Sequence, residues 1–543
     1  MGDFLNKIKQ FVIQYKYTLI SLVLLCVMAL KASSAIIYDI PLFTTFYIIN
    51  ALSFILLIHV LSKIKYSLIP TILLGILIAF NAYFAFLYGS IMGVGGLTSI
   101  LETHKEEAIS MIGNELFYGL IIFGIAIFLT LKCRTELAKS KISLKISLSL
   151  LIIYTFLVLP VAIGARIKIN IEGNLFRLNP TYIGQLRVNQ HAPFLYGNIA
   201  SIIGYIEEQR KIRGYAKNTE RYLPKGVSFN ESKQRPLKIF FVIGESSTRD
   251  HYSLYGYSKK TTPFLDSMYQ NTSSLNKYNG IAPAAMTPVV LEFSLSFSTR
   301  GYENIFYEQK NMMELATMAG YESFWISSLS KTGYFKNGIA YIAGCATHTY
   351  FHHTEDLKIG DDLELVEKVW RLYDKDKTQL FVLHLTGSHL DYKDRIDDRD
   401  RLALPGKDDV LQNYDRSIHH TDRVLREVYK LVEKDSLSIM YYMADHGEII
   451  GRGHGLWANG ARQYRVPLLT IHKGYPMDSI MQKYIDPETN LLNISNTIYM
   501  LGEAMGYDIS QENVEHAVED GKYILQLSDG KIRPYTELKE ELN

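Results

Sequence analysis

The apolar positions of this chain are distributed unevenly. Five long apolar runs fall within the first 164 residues: Tyr17 to Ile37, Pro41 to Leu61, Ser67 to Leu87, Leu116 to Leu131, and Ile146 to Gly164. A helix needs about 20 mostly apolar residues to cross roughly 30 Å of hydrocarbon. The five runs meet or approach that length, so five membrane-spanning helices are predicted. Lys31, Ser33 and Ser34 dilute the far end of the first run, and the fourth run is short. A cleaved signal peptide does not fit the first run, because another apolar span follows at once instead of a polar mature start. A soluble helical bundle does not fit either, since four of the five runs carry no charge.

Beyond Gly164 the pattern changes twice. Ala165 to Pro236 is polar and mixed, and reads as a connector. Within it, Asn198 to Tyr215 has helical spacing, with Ile202, Ile203 and Ile206 on one face and Glu207, Glu208, Arg210 and Lys211 elsewhere. Such a helix can lie at a membrane interface or pack on a neighbouring domain. Ser228 to Pro236 is turn-rich and marks a linker. From Leu237 onward, short apolar runs alternate with helical patterns. The runs are Leu237–Ile243, Ser323–Ile326, Gln379–Leu385, Ser436–Met443 and Val466–Ile471, and Gln412 to Glu433 is one of the helices between them. Continuous apolar strands alternating with helices predict a mostly parallel sheet covered on both faces, an α/β/α domain. The predicted domains are therefore 1–164 (membrane), 165–236 (connector) and 237–543 (outer α/β domain).

Charge orients the membrane part. The segment before the first span holds Lys7, Lys9 and Lys16 against Asp3, and the loop after the second holds Lys63 and Lys65. The loop after the fourth span holds Lys132, Arg134, Lys139, Lys141 and Lys145 against Glu136. The loop after the third holds Glu102, Glu106, Glu107 and Glu115 against Lys105. Basic loops face the cytoplasm, so the amino terminus is expected inside and the α/β domain outside. In a Gram-negative cell that outside is the periplasm. The whole chain carries 57 basic and 55 acidic residues, a net charge of +2, which excludes a bulk nucleic-acid binder and an acidic disordered chain. Three cysteines are too few for a disulfide framework or a cysteine metal site.

In an open parallel sheet, ligands collect beyond the carboxyl ends of the strands. Three of those ends are polar: Gly244-Glu245-Ser246-Ser247, Ala444-Asp445-His446-Gly447-Glu448 and Thr386-Gly387-Ser388-His389. His454 follows nearby in Gly451-Arg452-Gly453-His454-Gly455. Carboxylates and imidazoles together suit zinc, with manganese as the competitor for the oxygen ligands. For a nucleophile, Thr287 stands before Pro288 and an apolar run, which reads as a helix start with the hydroxyl beside free backbone N–H groups. Ser246, Ser247 and Thr248 are rivals.

These residues carry a resemblance. Gly244 to Asp266, GESSTRDHYSLYGYSKKTTPFLD, resembles the signature of the bacterial phosphoethanolamine transferases of the alkaline phosphatase and sulfatase superfamily. That family includes lipid A modifiers, among them colistin-resistance enzymes, and lipopolysaccharide-core modifiers. Gly387–His389 (GSH), Asn413–Asp422 (NYDRSIHHTD) and Ala444–Glu448 (ADHGE) agree, as does the five-span front. The resemblance implies a catalytic zinc on Glu245, Asp445 and His446, with Thr287 as nucleophile and fourth ligand. It implies that His389 and His454 bind the phosphoethanolamine or a second zinc and serve as general base, and that Lys331 meets a substrate phosphate. The donor would be phosphatidylethanolamine and the acceptor lipopolysaccharide or lipid A, with membrane lipids as surroundings and no nucleic-acid partner. The lipid A branch has a disulfide-stapled outer domain, whereas only Cys345 lies in this one, and the stretch around Thr287 looks more like the core-modifying branch. A phosphoglycerol transferase acting on an envelope glycan and a catalytically dead membrane adaptor are the alternatives. A sulfatase is disfavoured, because no Cys-x-Pro-x-Arg or Ser-x-Pro-x-Arg sequence supplies the usual nucleophile.

Overall fold

The computed structural model describes residues 2–34, 41–88, 114–172, 193–215, 220–298, 305–328, 338–351, 361–389, 392–451, 453–454, 460–526 and 531–540. The acidic loop from Glu102 to Glu107 lies outside them, and so does Lys331. The chain divides into two compact units, residues 1–173 with 178–210, and 174–177 with 211–543.

The first unit is helical. Its helices are Gly2–Gln14, Lys16–Ser34, Pro41–Ser62, Leu68–Tyr88, Asn114–Ala138 and Leu144–Glu172, so each predicted span falls on a helix. Among the described residues, Leu68–Phe86 and Phe117–Ala138 are each long and apolar enough to cross a membrane unaided, and Leu5–Ala32 qualifies as a bent pair. Polar groups inside the unit are tied to one another. Glu136 accepts from Tyr17 N, Thr18 N and Thr18 Oγ1, closing the start of the second helix. The predicted connector helix runs from Leu195 to Tyr215, and its first turns pack within this unit. Asn198 and Ser201 are buried, and Asn198 accepts from Asn81 Nδ2 at 2.7 Å. Its first turns thus pack within the helical unit through the Asn198 and Ser201 side, while Ile199, Ile202, Ile203 and Ile206 stay exposed.

The second unit is built on strands β1 (Val227–Phe229), β2 (Lys238–Gly244), β3 (Leu275–Ile281), β4 (Glu322–Ser327), β5 (His348–Phe351), β6 (Gln379–His384), β7 (Ser438–Ala444), β8 (Arg465–Lys473), β9 (Leu492–Asn493), β10 (Tyr507–Ile509), β11 (Tyr523–Gln526) and β12 (Lys531–Pro534). Eight form the main sheet in the order β5-β4-β6-β2-β7-β8-β3-β9, while β1 pairs with β10 and β11 with β12. The run from β5 through β7 is parallel, and β8 is antiparallel to both β7 and β3. Strands β2 and β7 are buried at every position, as continuous apolar strands in a doubly covered sheet must be. In the main sheet β3, β5 and the two-residue β9 escape the apolar-run pattern, as do the short strands β1, β10, β11 and β12 outside it. β3 reads LNKYNGI and buries only part of its residues, and β5 (HTYF) is an edge strand, so neither shows a continuous apolar signal. The helix Val410–Val432 lies across the sheet, with Tyr414, Ile418, Val424, Leu425 and Val428 in the core.

Candidate active site

The three polar strand ends of the sequence are spatial neighbours, because β6, β2 and β7 are consecutive in the sheet. Register aligns Ile243 with His384, and Gly244 with Ala444. The residues just past the strands therefore emerge side by side: Glu245 and Asp445 on adjacent strands, and the Thr386–His389 turn on the other flank. Ser246 has φ +53°, a left-handed conformation uncommon outside glycine. This sharp turn lets its N–H donate to Asp445 Oδ1 at 3.1 Å and its hydroxyl donate to Glu245 Oε1 at 2.9 Å.

Thr287 arrives from a separate element. The helix Thr287–Ser294 begins with Thr287 itself; Met286 is its N-cap residue and no side chain caps it. A threonine followed by proline predicts an N-cap at Thr287, one residue later than the observed cap. The difference is chemical, because its hydroxyl donates to Glu245 Oε2 at 2.9 Å and lies 3.2 Å from His446 Nε2. Glu245, Thr287, Asp445 and His446 are all buried. His446 Nδ1 faces the Gly447 carbonyl at 2.9 Å. An N–H donated there leaves Nε2 bare, 3.3 Å from Glu245 Oε1 and 3.4 Å from Asp445 Oδ2. A bare nitrogen facing two carboxylate oxygens is favourable only with a proton or a cation between them. Asp445 Oδ2 is also buried with no hydrogen-bond partner among the described residues, a costly state for a carboxylate oxygen unless a cation meets it. Burial and the adjacent Glu245 charge push the Asp445 carboxyl well above its usual range. Glu245 is equally buried, yet its hydrogen bond to His446 and that imidazole's charge hold it well below. The donor set, two carboxylates, one imidazole and a hydroxyl, fits a zinc-type ion.

Two further imidazoles complete the site. The His454 ring centre lies 3.9 Å from that of His446 and 6.3 Å from that of His389. His454 Nδ1 is 2.8 Å from Glu448 Oε2, and Glu448 Oε1 accepts from Tyr392 Oη at 2.7 Å. Burial lowers the His454 pKa, but the bond to buried Glu448 outweighs it and the net shift is upward. His389 has no such support, and burial lowers it. Glu245, His446 and His454 form one of two groups among the described residues that could hold a metal. The other group is Asp397, Asp400 and His420, where Arg423 already bridges Asp397 at 2.7 Å and Asp400 at 2.9 Å. That arginine supplies the balancing charge, so the second group reads as a structural clamp.

Sequence reasoning assigned no role to Glu448 or Asp362. Glu448 stands inside the ADHGE stretch, so its position was visible and its contact with His454 was not. Asp362 carries no local signal. It caps no part of its own helix, and its carboxylate instead accepts from Ser328 Oγ at 2.9 Å, Thr386 N at 2.8 Å and Gly387 N at 2.9 Å. It thereby pins the turn that leads to His389. Gly387 has φ +55°, and Ser388 N donates to the Glu245 carbonyl at 2.9 Å, so the same turn buttresses Glu245 from behind.

A mostly parallel sheet with acids and imidazoles at its central strand ends, and a threonine delivered to them, is an arrangement suited to metal-assisted group transfer. Residues 238–503 match the Sulfatase family. The fold as a whole is similar to the integral membrane protein lipooligosaccharide phosphoethanolamine transferase A (EptA) from Neisseria meningitidis, with a TM-score of 0.64 at 17% identity, covering 92% of this chain and 98% of that one. Phosphoethanolamine transferase EptC of Escherichia coli (strain K12) is 24% identical over 412 residues, 71% of this chain and 69% of that protein. Phosphoethanolamine transferase EptA of Helicobacter pylori (strain ATCC 700392 / 26695) is 24% identical over 426 residues, 72% of each. Along most of its length, the chain is thus similar to proteins named phosphoethanolamine transferases.

Proposed function

We propose that this protein is a zinc-dependent transferase that moves phosphoethanolamine from phosphatidylethanolamine to a lipopolysaccharide acceptor, either a core sugar or lipid A. It works from the periplasmic face of the inner membrane. The observation that carries the reading is Thr287 Oγ1, buried 2.9 Å from Glu245 and 3.2 Å from His446 at the convergence of three strand ends. Relatives named as phosphoethanolamine transferases support the choice of head group.

Glu245, Asp445, His446 and Thr287 would hold the zinc. Bound there, it would act as a Lewis acid that lowers the pKa of a hydroxyl and polarises a phosphoryl oxygen. Thr287 Oγ1 is the nucleophile, its proton directed at Glu245 Oε2 in the resting site. Oγ1 gives its proton to Glu245 Oε2, to be returned when the threonine is released, and attacks the donor phosphorus; the phosphorus–oxygen bond to diacylglycerol breaks, and diacylglycerol leaves after taking up a proton. The head group stays on Thr287 as a phosphoethanolamine ester. An acceptor oxygen then attacks the same phosphorus, gives up its proton and releases Thr287. His454 is placed to give the first proton and take the second, since Glu448 orients its ring and raises its basicity. His389 lies across from it as a substrate ligand. Anchoring confines enzyme and both amphiphilic substrates to one surface.

The test is to incubate the full-length protein with phosphatidylethanolamine, follow diacylglycerol release and map the modified peptide by mass spectrometry. The adduct is expected on Thr287. An adduct on the 244–249 segment, or turnover without any adduct, overturns the assignment. Mass spectrometry of lipopolysaccharide from cells with and without the protein identifies the acceptor.

A further inference from the structure

The helix Gly2–Gln14 takes no part in the packing of the helical unit, because every described side chain from Leu5 to Gln14 is exposed. It is nonetheless two-sided. Leu5, Ile8, Phe11, Val12 and Tyr15 recur at intervals of three or four and line one face. The Phe11 and Tyr15 rings meet there at 5.0 Å. Leu5 and Phe11 are 57% and 55% exposed, which is unusual for two large apolar side chains on one short helix. Asn6, Gln10 and Gln14 occupy the opposite face together with one apolar residue, Ile13, and helical spacing puts Lys7 and Lys9 on its two borders.

Geometry says what covers the apolar face. The chain turns by 76° between Leu5–Gln14 and Lys16–Ala32. The helix Lys16–Ser34 has 19 residues. At 1.5 Å per residue it reaches about 28 Å, close to the roughly 30 Å of a hydrocarbon core. That is near the length of a span before residues 2–14 are counted. Carrying Lys7 and Lys9 into that core would be expensive. A helix bent this far from a span runs near the membrane plane, with its apolar stripe against acyl chains and its border lysines against headgroups.

We propose that Gly2–Gln14 is an interfacial helix that lies on an anionic phospholipid leaflet at the amino-terminal end of the first span. Leu5, Ile8, Phe11 and Val12 enter the acyl boundary, and Lys7 and Lys9 contact the headgroups. This rests on the membrane reading of the helical unit and is independent of the transfer chemistry.

The experiment places photoactivatable benzoylphenylalanine singly at Asn6, Ile8, Gln10, Phe11 and Val23 of the full chain. Each variant is reconstituted in bilayers of phosphatidylcholine and phosphatidylglycerol, irradiated, and analysed for lipid adducts by mass spectrometry. Val23 is 63% exposed within the span and serves as the depth control. The expected result is strong adduct at Ile8 and Phe11, mapped to glycerol and upper acyl carbons, weak adduct at Asn6 and Gln10, and mid-chain adduct at Val23. Equal mid-chain adduct at all four helix positions would make the segment a broken span. Absence of adduct at all four, with Val23 labelled, would leave the helix in water. An unlabelled Val23 would remove the span itself. Each of these three overturns the proposal. Phosphatidylglycerol enriched over its bilayer fraction among the Phe11 adducts, and no longer enriched in Lys7→Gln/Lys9→Gln, is expected from headgroup contact; unchanged enrichment would overturn that part.

Discussion

Replacing Gly387 by alanine tests whether the His389 turn sets the position of Glu245. An added Cβ would stand 2.7 Å from Glu245 N and 2.8 Å from Glu245 O, both backbone atoms that cannot rotate away. Contacts near 3.5 Å are normal, so the two segments must part by about 0.7 Å. The φ of +55° adds a left-handed cost of roughly 1–2 kcal/mol for an L-residue. Forcing a methyl group into a packed site adds about 1–3 kcal/mol. Gly320→Ala separates the two terms, because Gly320 has φ +81° with nothing within 4 Å of a Cβ. Gly320→Ala is expected to lose only the backbone term and keep full activity. Gly387→Ala is expected to lose more stability and, since Glu245 is displaced by a sizeable part of an ångström, up to about 100-fold in kcat/KM. Thermal unfolding and phosphatidylethanolamine turnover of the two variants decide it. Wild-type turnover in Gly387→Ala, with a stability loss no larger than that of Gly320→Ala, would refute the reasoning.

Thr287→Ala should abolish transfer and adduct formation while costing about 1–3 kcal/mol for the lost hydrogen bond to a charged partner; Thr287→Ser should retain part of both. Measurable steady-state transfer in the alanine variant would exclude Thr287 as nucleophile. Asp362→Asn presents an amide N–H to one of the backbone donors at Thr386 or Gly387, so the turn to His389 loosens. Turnover should fall about 10- to 100-fold with bound zinc retained, as read by activity and metal analysis on one sample. Asp400→Asn should show a pH-dependent stability loss. Burial raises the Asp400 carboxyl, but hydrogen bonds from His419 and His420 outweigh it and hold it below the usual range. That stabilisation is present above about pH 3.9 and is lost as pH falls. Burial lowers His420, but Asp400 raises it above its usual value. That stabilisation is complete below about pH 6.5 and is lost as pH rises through the folded pKa. The penalty, about 3–5 kcal/mol for breaking a buried pair, should therefore be largest at mildly acidic pH and smaller at alkaline pH. Unfolding of both proteins across that range checks the trend, and a penalty growing with pH would contradict it.

Much of the architecture was legible in one dimension, because burial writes a period into the chain. Apolar runs of membrane length marked the helical unit, and short continuous runs such as KIFFVIG and SIMYYMA marked strands buried on both faces. Where burial is partial the signal faded, which is why β3 and the edge strand β5 escaped. Glu245, Asp445, His446 and His389 were legible as candidates for a separate reason: each follows a strand of a parallel sheet, and polar residues there have no packing role to explain them.

The sequence by itself thus determined most of the long elements, the contrast between a helical membrane part and an α/β part, and the inventory of chemically capable side chains. Only the tertiary structure decided which of them meet. The adjacency of β6, β2 and β7 depends on crossovers through distant helices, and no local pattern encodes their order. The helix start already favoured Thr287 over Ser246 and Ser247 in the sequence, and the structure adds what each hydroxyl meets. Ser247 Oγ is engaged with Tyr252 Oη at 2.8 Å, whereas Thr287 Oγ1 faces Glu245 and His446. The pairing of Glu448 with His454 and the grip of Asp362 on the Thr386–Gly387 turn belong to the same category. Hydrogen bonds of this kind join residues far apart along the chain or across irregular turns. They leave no periodic trace, because a single buried polar contact is satisfied by one geometry and not by a repeating pattern.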